Sequence, residues 1–184
     1  MVTDPDQDLI TAAKGGDQVA FGKLVRRHYN LVYAVTFGVL GQREEALDMT
    51  QEVFFKIFRE LEHFQGQSKF KTWLYRISVN AAIDASRRRR PAEPIEEETN
   101  FETKGPGPRE EASRRELRKL IEEGLSVLNP EHRAVLVLRE WQELSYDEIA
   151  EALQIEIGTV MSRLFYARKK LAQIMSVKLG EPKL

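Results

Sequence analysis

A segment near the middle of the chain cannot pack, and it constrains the fold more than any other feature. Residues 91–112 hold four prolines, two glycines and seven glutamates against Lys104 and Arg109 alone. Such a composition interrupts regular structure and offers little apolar surface to bury. The 184 residues therefore divide into residues 1–90 and 113–184, each the size of a small domain. The intervening stretch is expected to be a flexible acidic linker. Extended, it spans at most roughly 75 Å, and as a relaxed coil about 26 Å.

Apolar residues on both sides recur every three to four positions. The first run carries Phe21, Leu24, Val25, Leu31, Val32, Val35 and Val39, with Asp17 suited to cap its start and Gly41 its end. Met49, Val53, Phe54, Ile57, Phe58 and Leu61 form a second run. Phe70, Trp73, Leu74, Ile77 and Ala81 form a third, which leads into Arg87 to Arg90 and stops at Pro91. Beyond the linker, Leu117, Leu120, Ile121, Leu125 and Leu128 suggest a helix from about Ser113. Asn129-Pro130 then caps and opens a helix through Val135, Leu136 and Leu138 to about Trp141. Ser145 and Glu148 are spaced as a capping box before Ile149, Ala150 and Leu153. After a break at 154–158, a last helix carries Val160, Leu164, Ala167 and Leu171. No strand pattern of useful length occurs. The expected fold is all-α: two small helical domains, the second with a helix-turn-helix in which small Ala150 permits a close crossing.

Composition removes several chemistries. The absence of cysteine excludes disulfides, thiol catalysis, cysteine-bound zinc and iron–sulfur clusters. His28, His63 and His132 are too scattered for a metal site, so no metal, cofactor or catalytic residue is expected. The acidic opening Met1 to Asp8 is unlike a secretory signal, and the apolar stretch Leu31 to Leu40 is about half a membrane span. The reading is a soluble intracellular chain without membrane insertion. A net charge of -1 argues against coating DNA by bulk charge, yet charge is segregated. Residues 69–90 carry a balance of +6 and residues 163–184 one of +5. Two basic patches, each beside a motif of DNA-binding type, point to nucleic acid.

The run Leu144-Ser-Tyr-Asp-Glu-Ile-Ala-Glu-Ala-Leu153, followed by Gly158-Thr-Val160 and Ser162-Arg163-Leu164, resembles the promoter −35 reader of sigma-70-type factors, most closely the extracytoplasmic-function subgroup. Ala46-Leu-Asp-Met-Thr-Gln-Glu-Val-Phe54 resembles the segment with which those factors grip core RNA polymerase. Phe70-Lys-Thr-Trp-Leu-Tyr-Arg-Ile-Ser-Val-Asn80 resembles their −10 recognition and melting segment. Met161 and Tyr166, where the pattern usually has cationic residues, and Glu156, at a turn position that is often proline, depart from it.

The resemblance implies a bacterial, cytoplasmic, non-enzymatic initiation factor. It would join the β′ and β subunits of core polymerase, contact promoter DNA in duplex and single-stranded form, and be held by an anti-sigma factor under stress regulation. Residues 1–90 would bind polymerase and the −10 element, 91–112 would be the linker, and 113–184 would read −35. Asp48, Gln51 and Glu52, within one helical turn of each other, would face polymerase together with Phe55. Lys69, Lys71, Trp73, Tyr75, Arg76, Asn80, Arg87 and Arg88 would serve the −10 strand, where rings stack bases and cations hold phosphates. At least one of Phe70, Trp73 and Tyr75 is expected in the core. Tyr75, Arg76, Asn80 and loop 63–68 are the groups expected to face DNA, the loop capturing a flipped base. Thr159, Ser162, Arg163, Tyr166 and Lys170 would face the −35 groove. The acidic linker either occupies a basic polymerase channel or is a plain tether. The competing function is a helix-turn-helix regulator that acts without polymerase, which leaves the motifs of residues 46–80 unexplained.

Overall fold

The computed structural model describes residues 4–88 and 123–179, with side chains through Ser176. Arg89 and Arg90, the linker, the stop at Pro91 and the helix expected from Ser113 lie outside the described residues. Every regular element among the described residues is helical. In the first half these are α1 (Gln7–Lys14), α2 (Gln18–Leu40), α3 (Arg43–Glu60), a 3₁₀ turn (Leu61–His63) and α4 (Phe70–Arg88). The second half contains α5 (Pro130–Glu140), α6 (Tyr146–Leu153) and α7 (Ile157–Leu179).

The expected punctuation is in place. Asp17 accepts the amides of Val19 and Ala20. Gly41 ends α2 at φ 76 and donates to Phe37 O at 2.7 Å, a left-handed stop that favours glycine. Asn129 accepts from His132 N ahead of Pro130, and Ser145 and Glu148 close the capping box. Helix α7 opens at Ile157, just inside the expected break, after Gln154 turns at φ 54. Helix α1 has no counterpart in the sequence expectations. Its apolar positions, Leu9, Ile10 and Ala13, span barely two turns, too short a window for a period to register.

Helices α2, α3 and α4 enclose Leu24, Val32, Val35, Val53, Ile57, Phe70 and Leu74. A buried hydroxyl pair, Thr36 and Thr50, joins α2 to α3 at 3.0 Å. In the second half Leu138, Ile149, Val160, Leu164 and Ala167 are buried. The alanine fully buried on α6 is Ala152; Ala150 is only partly covered. Two positions along a helix turn a side chain by about 200°, so the close-crossing role expected of Ala150 falls to Ala152.

The two halves pack on each other, and one continuous apolar cluster runs through both. Helix α5 meets the end of α2 at Gly38, where an added Cβ would lie 2.5 Å from Val137 Cγ2 and 2.8 Å from Trp141 Cζ3. Buried Arg133 donates from Nη1 to Val39 O at 2.6 Å, a cation at the carbonyl end of α2. Trp141 stacks on Phe37 with ring centres 6.4 Å apart. Tyr75 donates to Gln142 Oε1 at 3.2 Å, and Arg87 pairs with Glu131.

Candidate nucleic-acid and polymerase interfaces

On α3 the apolar stripe turns inward through Ala46, Met49, Val53 and Ile57. Asp48, Gln51 and Glu52 are thereby left exposed on the opposite side. Phe55 is 69% exposed, a large ring displayed beside Gln51, Glu52 and Arg59. Phe58, expected in the buried stripe, is also exposed and meets Phe21 edge-to-face at 4.9 Å. Phe21, Val25, Tyr29, Phe55 and Phe58 line an apolar groove of about 450 Å³ between α2 and α3. The sequence reading missed this groove because its α2 members share the period of core residues. Phe55 and Phe58, adjacent rings on a charged helix, were the available signal.

Helix α4 divides its candidates. Lys69, Lys71, Asn80, Arg87 and Arg88 are exposed and Arg76 is partly so. Phe70 and Trp73 are buried, and Tyr75 is only 2% exposed. All three rings are inside, which corrects the outward placement expected for Tyr75 and the role in DNA contact given to Trp73. Trp73 packs between Phe64 and Phe70, while Tyr75 lies beneath α6 and Gln142 of the second half. Burial, then the Glu148 charge, pushes the Tyr75 phenol far above its ordinary value. Glu148 is held below the usual carboxylate range first by its hydrogen bonds with Ser145, then by the charges of Lys69 and Lys71. Beside them, loop 63–68, Arg76, Glu151 of α6 and Gln154 just past its end line a polar cleft of about 280 Å³.

Helix α7 turns Val160, Leu164 and Ala167 inward. Ser162, Tyr166 and Lys170 are exposed, and Thr159 and Arg163 are partly exposed. These five recur at helical spacing on one side. Tyr166 stacks with His132 at 6.2 Å between ring centres, and Arg168 is tied to Glu140 at 2.7 Å. Met161 is 54% exposed. Among the described residues no cluster of three metal-ligating side chains occurs, and no helix is long and apolar enough to cross a membrane.

Family comparisons follow the same division. Sigma-70 region 2 matches residues 24–92, and Sigma-70 region 4 matches residues 118–171. The ECF RNA polymerase sigma-E factor of Haemophilus influenzae is 36% identical, the match covering 90% of this chain and 93% of that protein. The chain belongs to the extracytoplasmic-function sigma factors. The RNA polymerase sigma-H factor of Pseudomonas aeruginosa is 32% identical across 98% of this chain and 99% of its own length. Among solved structures, CnrH in complex with the cytosolic domain of CnrY is 28% identical with a TM-score of 0.70, covering 95% of this chain and 99% of that one. RpoE of Bartonella quintana, crystallised with the anti-sigma factor NepR, shares the fold at 21% identity and a TM-score of 0.67, covering 85% and 97%. As a sigma factor this protein makes no bonds: it associates with core RNA polymerase and directs initiation at promoters.

Proposed function

We propose that three surfaces divide this work. Asp48, Gln51, Glu52 and Phe55, with the adjoining α2–α3 groove, bind the β′ subunit of core polymerase. The carboxylates accept charged hydrogen bonds there, and Phe55 enters an apolar contact. Lys69, Lys71, Arg76, Asn80, Arg87, Arg88 and loop 63–68 hold the melted −10 strand. Thr159, Ser162, Arg163, Tyr166 and Lys170 enter the −35 major groove, where Arg163 reads a base edge or holds a phosphate. The assigned units are residues 1–90, 91–112 and 113–184, the last also touching the β subunit. An anti-sigma factor completes the partner set, and the site of action is the bacterial cytoplasm.

One observation carries this reading: every polar member of the three sets stands at or near the surface, although they come from three different helices and the loop before α4. The rings Trp73 and Tyr75 contribute in another way. Trp73 shapes the floor of the loop, and Tyr75 becomes available only when the second half leaves α4. Separation of the halves in holoenzyme is therefore part of the proposal, and a linker reaching about 26 Å or more permits it. The test is copurification with core polymerase followed by DNA protection on a promoter. Polymerase-independent, sequence-specific duplex binding by the free chain would favour the ordinary regulator instead.

A further inference from the structure

The loop that leads into α4 is fastened at both ends by residues far upstream. Lys14 donates to the carbonyl of Phe64 and lies 5.9 Å above its ring. At the other end, Phe70 is the first residue of α4, and its amide has no partner within the helix. Lys69 occupies the cap position, its carbonyl accepting Trp73 N at 3.2 Å, but its side chain has no acceptor to offer. Asp4 supplies one: Oδ2 accepts the Phe70 amide while Oδ1 accepts the Asp6 amide at 2.9 Å.

Asp6 continues the chain of contacts. It meets His28 Nε2 at 2.7 Å and pairs with Arg27, both on α2. The His28 ring stands edge-on to Phe70 at 5.5 Å. Asp4 and Asp6 are 9% and 3% exposed, and each of their four carboxylate oxygens has a partner. Buried carboxylates persist only when bonded in this way, so the segment has one seating. The loop has little holding it from within. Its own side-chain bonds run from Gln67 to Gln65 and from Ser68 to Lys69 O, and Gly66 sits at φ 69. Both anchors lie outside residues 24–92, the span matched by region 2.

We propose that residues 4–14 are a clamp that holds loop 64–69 in the shape that receives a flipped −10 base, with Asp4 and Lys14 as positioning residues. This rests on the reading that the loop captures such a base. The clamp sets the spacing between Phe64 O and Phe70 N, and hence the shape of the loop wall on which Gln65 and Ser68 stand, a wall that stays with α4 when Glu151 and Gln154 leave with the second half.

The experiment uses holoenzyme built with the full chain and a fork-junction promoter whose non-template −10 bases are replaced one at a time by an abasic site. For wild type, one position is expected to lose about tenfold in affinity, as removal of a stacked base does, and Gln65→Ala with Ser68→Ala to shrink that loss. Asp4→Ala and Lys14→Met should each reduce the tenfold loss to about twofold to threefold while affinity for core polymerase stays unchanged. Asp4→Asn keeps one acceptor, enough for the Phe70 amide but with its NH2 then facing the Asp6 amide, and should restore part of it. If wild type shows no loop-dependent position, the base-capture reading falls and the clamp falls with it. If wild type shows one and Asp4→Ala and Lys14→Met retain the full loss, the clamp alone is overturned. A parallel drop in core affinity without rescue by Asp4→Asn would make the segment a general support of the fold, and would also overturn it.

Discussion

Gly38→Ala isolates the contact between the two halves. The new Cβ would stand 2.5 and 2.9 Å from the two Val137 methyls and 2.8 Å from Trp141 Cζ3, where carbon pairs rest at about 3.5–4.0 Å. Val137 is buried and β-branched, so it has little rotamer freedom with which to yield. Overpacking of this kind costs about 1–3 kcal/mol. Within α2 itself, alanine gains about 0.8–1.0 kcal/mol over glycine. The strain therefore falls on closure while the first half keeps or gains stability, and the closing equilibrium should weaken by about 5-fold to 150-fold. Because the chain has no cysteine, Gln51→Cys and Lys170→Cys accept spin labels on exposed sites without competing thiols. The expected result is a longer and broader distance distribution for Gly38→Ala, with helicity unchanged. Adding Val137→Ala, which removes the two nearest methyls, should bring the distribution back toward wild type. An unchanged distribution would refute the argument, as would loss of helicity in the first half without separation of the halves.

Asp48→Arg combined with Glu52→Arg should abolish copurification with core polymerase and leave the circular dichroism spectrum intact. Closure should also respond to acid through Glu131. Burial raises its carboxyl, but the hydrogen bond from Arg87, a backbone amide and the charges of Arg87 and Arg163 together hold it below its ordinary value of 4.5, and only the Arg87 share belongs to closure. A depressed pKa stabilises the closed form above about pH 4.5 and loses that contribution as pH falls through the lowered value. Arg87 is well exposed, so the effect is at most about 1 kcal/mol; label distances measured from pH 7 to 3 should lengthen, and Glu131→Gln should remove that component. Met161→Lys adds one cation on the outer side of α7, and holoenzyme affinity titrated against salt should steepen by about 0.9 in log–log slope with −35 base preference unchanged.

Local chemistry was legible in the sequence, and long-range pairing was not. Asp17, Gly41, Asn129 and the Ser145–Glu148 box act on backbone groups within four residues, so their spacing alone announces them. The polar members of α3 and α7 were legible for the same reason, since one apolar stripe fixes which side faces out. Asp4 and Phe70 are a cap and its helix separated by 66 positions, and no local pattern links them. Tyr75 was misplaced because period assigns it to the side of α4 away from the first-half core. That inference held, but the second half covers this side. Two traces of that contact stand in the sequence: the unbroken apolar run Ala134 to Leu138, which calls for burial on more than one side of α5, and Gly38, a helix-weakening glycine whose use becomes visible only beside Val137.

Beside the hydrocarbon of Val137, Trp141 and Phe37, the contact between the halves contains groups that water can serve once they part. Val39 O, released by Arg133, becomes an exposed helix-end carbonyl, and the guanidinium recovers its hydration. The Tyr75 hydroxyl and Gln142 amide exchange one hydrogen bond for others to solvent, a net change of about 0.5–1.5 kcal/mol. Arg87 and Glu131 lose a pair that is already partly screened. The first-half core offers no such exchange: separating Val32, Val53 and Leu74, all buried, would expose hydrocarbon at about 25 cal/mol per Å². Opening at the α2–α5 and α4–α6 contacts exposes Val137, Trp141 and Phe37 but leaves the first-half core closed. It changes the two DNA surfaces unequally. The side of α7 proposed for −35 faces out with the halves closed, whereas the side of α4 proposed for −10 keeps Tyr75 bonded to Gln142 and Arg76 in one cleft with Glu151. Duplex contact can precede separation, but stacking of a melted base on Tyr75 cannot.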